Sequence, residues 1–190
     1  MRLPLFPLNA HVFPEGRLAL RIFEARYLRM VRERAGHAPC FAMGMLEKSA
    51  DGKSQVLAVA TLVKMVDFDQ LEDGLLGITV EGVSLARVGE VEIDEDGLRW
   101  ADCNAFELWP EEKIAEDARI QQALGRLLTE YPEIGELYPE PGLDSLRWSL
   151  QRWLELLPIE ASAKATLLTQ PSSSMAVSLI HSILDKSDPQ

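Results

Sequence analysis

Apolar and polar positions change rhythm at Pro110. Before it, they alternate or gather into short β-branched runs; after it, they recur at helical spacing. Arg17 to Ile22 alternates as a half-buried strand does, after the turn signals Pro14 and Gly16. Phe41 to Leu46 is a second apolar run, closed by the turn pair Asp51-Gly52. Val56 to Val66, Leu75 to Val80, Val83 to Ile93 and Leu98 to Leu108 read as further strands. Acidic residues leading to Gly74 separate the first two of these. The Asp96-Gly97 pair marks a hairpin between the last two.

One helix interrupts the strands. Between Phe23 and Ala35, the residues Phe23, Tyr27, Met30 and Val31 fall on one apolar stripe. Arg26, Arg29 and Glu33 fall opposite. This predicts Phe23, Tyr27 and Met30 in the core, with Arg26 and Arg29 exposed or ion-paired. Glu24, at the edge of the stripe, then needs a partner. Gly36 suits the position just past the helix end, and Arg32 and Arg34 suit its last turn.

After Pro110, Glu111, Glu112, Glu116 and Asp117 load the first turns of a helix that runs to about Glu130. A connector broken by Pro132, Pro139, Pro141 and Gly142 follows. Asp144 is the expected N-cap of a helix carrying Leu146, Leu150, Trp153, Leu154 and Leu157, stopped by Pro158. Two more helices are expected, Glu160 to Leu168 and Met175 to Leu184, the second with Ser172 to Ser174 as capping candidates. Trp148 and Trp153 stand five apart, so one is expected in the core and one at the periphery. The expected fold is α+β, with a β-rich subdomain over residues 1–110 and a helical subdomain over 111–190.

Composition narrows the function. The chain has 190 residues, 47% apolar and 26% charged, the profile of a globular protein able to bury a core. Its net charge of −11 is uneven: residues 1–40 sum to +4, residues 41–110 to −9 and residues 111–190 to −6. The basic segment holds seven arginines. They either pair with downstream acids on folding or line a contact surface for an acidic partner. The overall charge counts against nucleic acid and anionic membranes as partners. No run approaches the roughly 18 apolar residues of a membrane span, and the opening segment, broken by Pro4 and Pro7, is no signal peptide. Cys40 and Cys103 make neither a disulfide framework nor a four-ligand zinc site, which suits a reducing cytoplasm.

No catalytic constellation emerges. There is no phosphate-cradling Gly-x-x-x-x-Gly-Lys run, no dinucleotide fingerprint and no Gly-x-Ser-x-Gly elbow. His11, His37 and His181 are scattered. Cys103 lies in an expected strand and Cys40 starts another, and both read as small core residues. Asp94, Glu95 and Asp96 lack the spaced ligands of a calcium loop and read as a solvated turn. Ser162 and Lys164 are two apart on a helix and diverge, which argues against a serine–lysine dyad. No catalytic, cofactor-binding or metal-ligating residue is assigned, no cofactor is implied, and no binding residue is identified. The expectation is a protein that is not an enzyme.

Three blocks resemble a known family. Leu3-Pro4-Leu5-Phe6-Pro7-Leu8, continuing through Val12-Phe13-Pro14-x-Gly16-x-Leu18-x-Leu20-x-Ile22-Phe23-Glu24-x-Arg26-Tyr27-x-x-Met30, resembles the opening of the Lon protease amino-terminal domain. The Ile-Phe-Glu-x-Arg-Tyr segment looks most like the small stand-alone members. Val80-Glu81-Gly82-x-x-x-Ala86-Arg87-Val88 is similar to the family's second β segment. Leu156-Leu157-Pro158, followed by Lys164-x-x-Leu167-Leu168, is similar to the pattern before its last helix. Ala60-Thr61 stands where the family often has Gly-Thr, and Leu85 where it often has arginine.

The resemblance implies a PUA-like twisted β pseudo-barrel, mostly antiparallel with one inserted helix, followed by a C-terminal α-helical bundle. It implies a non-catalytic module that binds unfolded polypeptide or a protein partner, as an adaptor or regulator in protein quality control. The ATPase and protease activities of the full-length enzyme do not carry over, since neither domain is in the chain. Two other functions stay open: an enzyme with an unrecognised small-molecule pocket, and an RNA-binding PUA-like protein.

Overall fold

A computed structural model describes residues 1–48, 52–110 and 117–187 of the chain. Over these residues run β1 (Arg2–Leu8), β2 (Arg17–Ile22), α1 (Ala25–Arg34), β3 (Phe41–Lys48), β4 (Ser54–Gln70), β5 (Leu76–Ile93) and β6 (Arg99–Phe106). Helices α2 (Ala118–Glu130), α3 (Pro132–Gly135), α4 (Leu146–Leu156), α5 (Ala161–Leu168) and α6 (Ser174–Ser187) follow. The chain divides into two compact units, Met1–Glu107 and Leu108–Gln190.

In the first unit the strand order is β2-β5-β4-β3-β1-β6, and β6 pairs again with β5. The length of β5 allows this. Its residues Leu76 to Glu81 pair with β2, and Leu85 to Ile93 pair with β6. β4 takes the other side. Strands β5, β4, β3, β1 and β6 therefore form a hydrogen-bonded ring, and β2 lies outside it, with one edge free among the described residues. Register shifts at Leu62/Val63, Met65/Asp67 and Val88/Val91 bend the long strands, as bulges do. Every pairing of named strands is antiparallel except β1 with β3.

Two features of the sheet differ from the sequence reading. Leu75–Val80 and Val83–Ile93, read as two strands, are one, because Gly82 does not turn the chain. It sits where another segment crosses, and a Cβ there would lie 2.1 Å from the Phe13 carbonyl oxygen. Strand β1 had no counterpart among the expected strands, because Pro4 and Pro7 argue against a central strand. It nevertheless lies between β3 and β6, and its Leu3, Leu5 and Phe6 are buried.

Helix α1 starts two residues later than its stripe suggested. Glu24 is the N-cap, so Phe23 precedes the helix and leaves the stripe. Tyr27, Met30 and Val31 are buried as expected, while Phe23 is 67% exposed, which corrects its assignment to the core. Glu24 finds the partner it needed in Arg26, at 2.6 Å. Gly36, at φ +79°, takes the left-handed position past the helix end.

In the second unit, Asp117 caps α2 by accepting the Ile120 amide hydrogen. The acidic first turns expected at 111–116 lie outside the described residues. Ser145, not Asp144, caps α4, its hydroxyl accepting from the Trp148 amide at 3.1 Å. Trp148 and Trp153 are both buried, at 5% and 8% exposed, against the expectation of one peripheral tryptophan. The reason is that α4 is buried on nearly all sides, Ser149, Gln151 and Arg152 included. Arg152 forms a two-pronged bond to Glu155, at 2.7 and 2.8 Å, and lies over the Trp148 ring.

Candidate functional site

Strand β2 sets up the site. Leu18, Leu20 and Ile22 pack against the core, whereas Ala19 and Arg21 are exposed. A groove of about 560 Å³ is lined by the consecutive residues Ala19, Leu20, Arg21, Ile22, Phe23 and Glu24. Successive strand residues point to opposite faces. A groove that touches four in a row must therefore run along the strand's edge. Its floor carries Phe6 and Tyr27, whose ring centroids are 4.2 Å apart, and Leu8 and Leu46 add apolar wall. Phe23 stands exposed in the lining. A second groove, of about 360 Å³, shares Ala19, Leu20 and Arg21 and extends over Asp67, Phe68 and Asp69. Phe68 is 49% exposed.

The polar groups of the larger groove are mostly committed. Arg26 donates to Glu24 at 2.6 Å and to the Gly97 carbonyl at 3.1 Å, and its guanidinium lies 4.7 Å from the Tyr27 ring centre. Arg21 pairs with Asp73. Burial raises the Tyr27 phenol above its ordinary value, against the pull of Arg26. Arg99, on β6, also lines the groove and has no ion-pair partner among the described residues. Among the described residues, the single carboxylate of the lining is Glu24.

The arginines of the first 40 residues are largely paired with downstream acids. Arg2 binds Glu92, Arg17 binds Glu81, Arg21 binds Asp73, and Arg29 binds Asp94 and Asp96. Arg26 pairs locally with Glu24, and Arg34 donates to the carbonyls of Cys40 and Pro39. Of the two readings of the basic segment, ion pairing on folding is the one the structure supports.

The other sequence candidates are not brought together. His181 meets Asp117, between α6 and the start of α2. Lys164 is buried and donates to the Glu155 carbonyl at 3.2 Å, and burial holds its pKa below the ordinary value. Ser162 is exposed while Lys164 is buried, so the pair diverges. Cys40 and Cys103 are buried thiols, and burial pushes that of Cys40 up to about 11. Asp94 and Asp96 are held by Arg29 rather than by solvent alone. Among the described residues no cluster of His, Cys, Asp or Glu is arranged to hold a metal, and no helix is long and apolar enough to cross a membrane.

Sequence reasoning missed the groove, although one signal was present. Strand alternation puts Ile22 inward, so its continuation puts Phe23 outward, against the helical stripe that claimed it. Arg99 carried no local signal, because it reaches the groove through the pairing of β6 with β1 and β5.

A family model of the ATP-dependent protease La (LON) substrate-binding domain matches residues 2–189. The crystal structure of a Lon N-terminal domain protein from Xanthomonas campestris is similar, with a TM-score of 0.71 and 25% identity, covering 96% of this chain and 98% of that one. The N-terminal domain of a Mycobacterium avium complex Lon protease shares the fold, with a TM-score of 0.57 and 11% identity over 94% of this chain and 95% of that one. No curated protein matches the chain.

Proposed function

Since this chain belongs to the family of ATP-dependent protease La (LON) substrate-binding domains, we propose that it binds non-native polypeptide in the groove beside β2. In this reading it acts as an adaptor or regulator in protein quality control, in the cytoplasm, without chemistry of its own. The observation that carries it is Phe23, a large aromatic side chain 67% exposed in a groove lined chiefly by apolar residues. An exposed aromatic beside buried ones suits a surface that covers apolar segments of another chain. We read the ring of five strands as a PUA-like twisted pseudo-barrel and α2 to α6 as a helical bundle, with the subdomains divided between residues 110 and 111. Binding of labelled unstructured peptides without ATP tests the proposal. The expected result is saturable binding that favours peptides with large apolar residues; absence of binding across a broad array contradicts it.

A further inference from the structure

The free edge of β2 adds a second demand to the groove. The Gly82 amide donates to the Gly16 carbonyl at 2.9 Å, which makes Gly16 and Gly82 a hydrogen-bonded pair. The register then runs without a shift from Arg17 opposite Glu81 to Ile22 opposite Leu76. In an antiparallel ladder such pairs alternate. Leu18, Leu20 and Ile22 therefore turn their amides and carbonyls toward β5, and Ala19 and Arg21 turn theirs away from it. No other strand pairs with β2 among the described residues. Open backbone groups of this kind are matched by an extended polypeptide laid alongside.

Charge narrows the choice further. Arg26 and Arg21 are held by Glu24 and Asp73, so among the described residues Arg99 is the arginine of the lining left to meet an incoming group. It lies in a groove whose remaining surface is chiefly apolar. We propose that an extended segment of a polypeptide adds to the edge of β2, with a large apolar side chain on Phe23 and Tyr27 and an aspartate or glutamate two residues away on Arg99. Spacing by two puts both side chains on the same face of the added strand. The proposal rests on the reading of this groove as a polypeptide site, and names how the chain docks and which sequence it prefers.

The test uses the full chain and two labelled peptides that differ only in Leu-Thr-Asp against Leu-Thr-Asn, followed by fluorescence anisotropy. The aspartate peptide is expected to bind roughly threefold to fivefold more tightly, the range of an exposed ion pair. Arg99→Gln is expected to remove that difference. Ala19→Pro deletes one outward amide hydrogen, a change an edge strand tolerates. It weakens both peptides about tenfold while the melting temperature stays put. N-methylation of every second peptide amide does the same on the wild-type protein, and decides the point should Ala19→Pro fail to fold. Persistence of the aspartate preference in Arg99→Gln overturns the charge assignment. Full affinity of the N-methylated peptides or of folded Ala19→Pro overturns edge docking while the polypeptide reading stands. Failure of the wild-type protein to bind any peptide removes that reading itself.

Discussion

The Arg29 guanidinium holds the Asp94 carboxylate at 2.6 Å and so fastens α1 to the turn between β5 and β6. The same guanidinium reaches Asp96 at 2.8 Å, and the Trp100 indole donates to Asp94 at 3.0 Å. Helix α1 carries Tyr27, part of the groove floor, so this clamp steadies the site from behind. Arg29→Met is expected to lower the melting temperature slightly. The gap to wild type should shrink in roughly 1 M salt, where exposed charges are screened within about 3 Å. A gap indifferent to salt would assign the effect to packing.

Acid sensitivity follows from four carboxyls held below their ordinary range. The hydrogen bond from Arg2 lowers Glu92, and those from Arg29 and Trp100 lower Asp94. The Leu98 amide, then Arg29, lower Asp96. For Glu81 burial works upward, but Lys64 and Arg17 outweigh it. With folded values depressed, the unfolded chain takes up protons first as pH falls. The stabilisation is thus present above the ordinary carboxyl range, about 4, and is lost as pH drops through the lower folded values. Melting temperature should be nearly flat from about pH 7 to 5.5 and fall steeply below about 4. Arg29→Met should flatten part of that acid limb, since Asp94 then keeps only Trp100 and Asp96 only the Leu98 amide.

Gly82→Ala tests the crossing that positions β2. Its Cβ would sit 2.1 Å from the Phe13 carbonyl oxygen and 2.6 Å from the carbonyl carbon, both backbone atoms. Neither is the end of a flexible side chain, so a segment must move. We expect a loss of about 3 kcal/mol in urea unfolding. A loss below about 0.5 kcal/mol, the size of an ordinary surface change, would show that the crossing is loose.

Both thiols should be silent in the folded protein. Cys40 and Cys103 are buried, and burial raises each above the ordinary thiol value. Only the thiolate reacts with a disulfide reagent. Neither cysteine should react at about pH 8 under native conditions, and both should react once the chain is unfolded. Native labelling of either one would place it at the surface.

The elements themselves were largely legible. Arg17–Ile22 shows its alternation openly, and the observed strand has those same bounds. What stayed hidden depends on distant parts of the chain. Gly82 looks like a break until Phe13 is seen crossing it. Pro4 and Pro7 disguise a strand that pairing with β3 and β6 enforces. Trp148 and Trp153 obey no single stripe because α4 is covered all round. The site was less legible still. Phe23 belongs to two periodicities, and the helix start at Ala25 decides between them. Arg99 joins the groove from a strand more than 70 positions away in sequence from Phe23.

Phe23→Ser, assayed against an array of labelled unstructured peptides without ATP, tests the account most directly. Phe23 is exposed, so its loss should leave the melting temperature within about 2 °C of wild type. The account predicts saturable binding by wild type, preferring peptides with large apolar residues, and affinity about tenfold lower in the variant. No binding by wild type across the array, or equal binding by a folded Phe23→Ser, would contradict it.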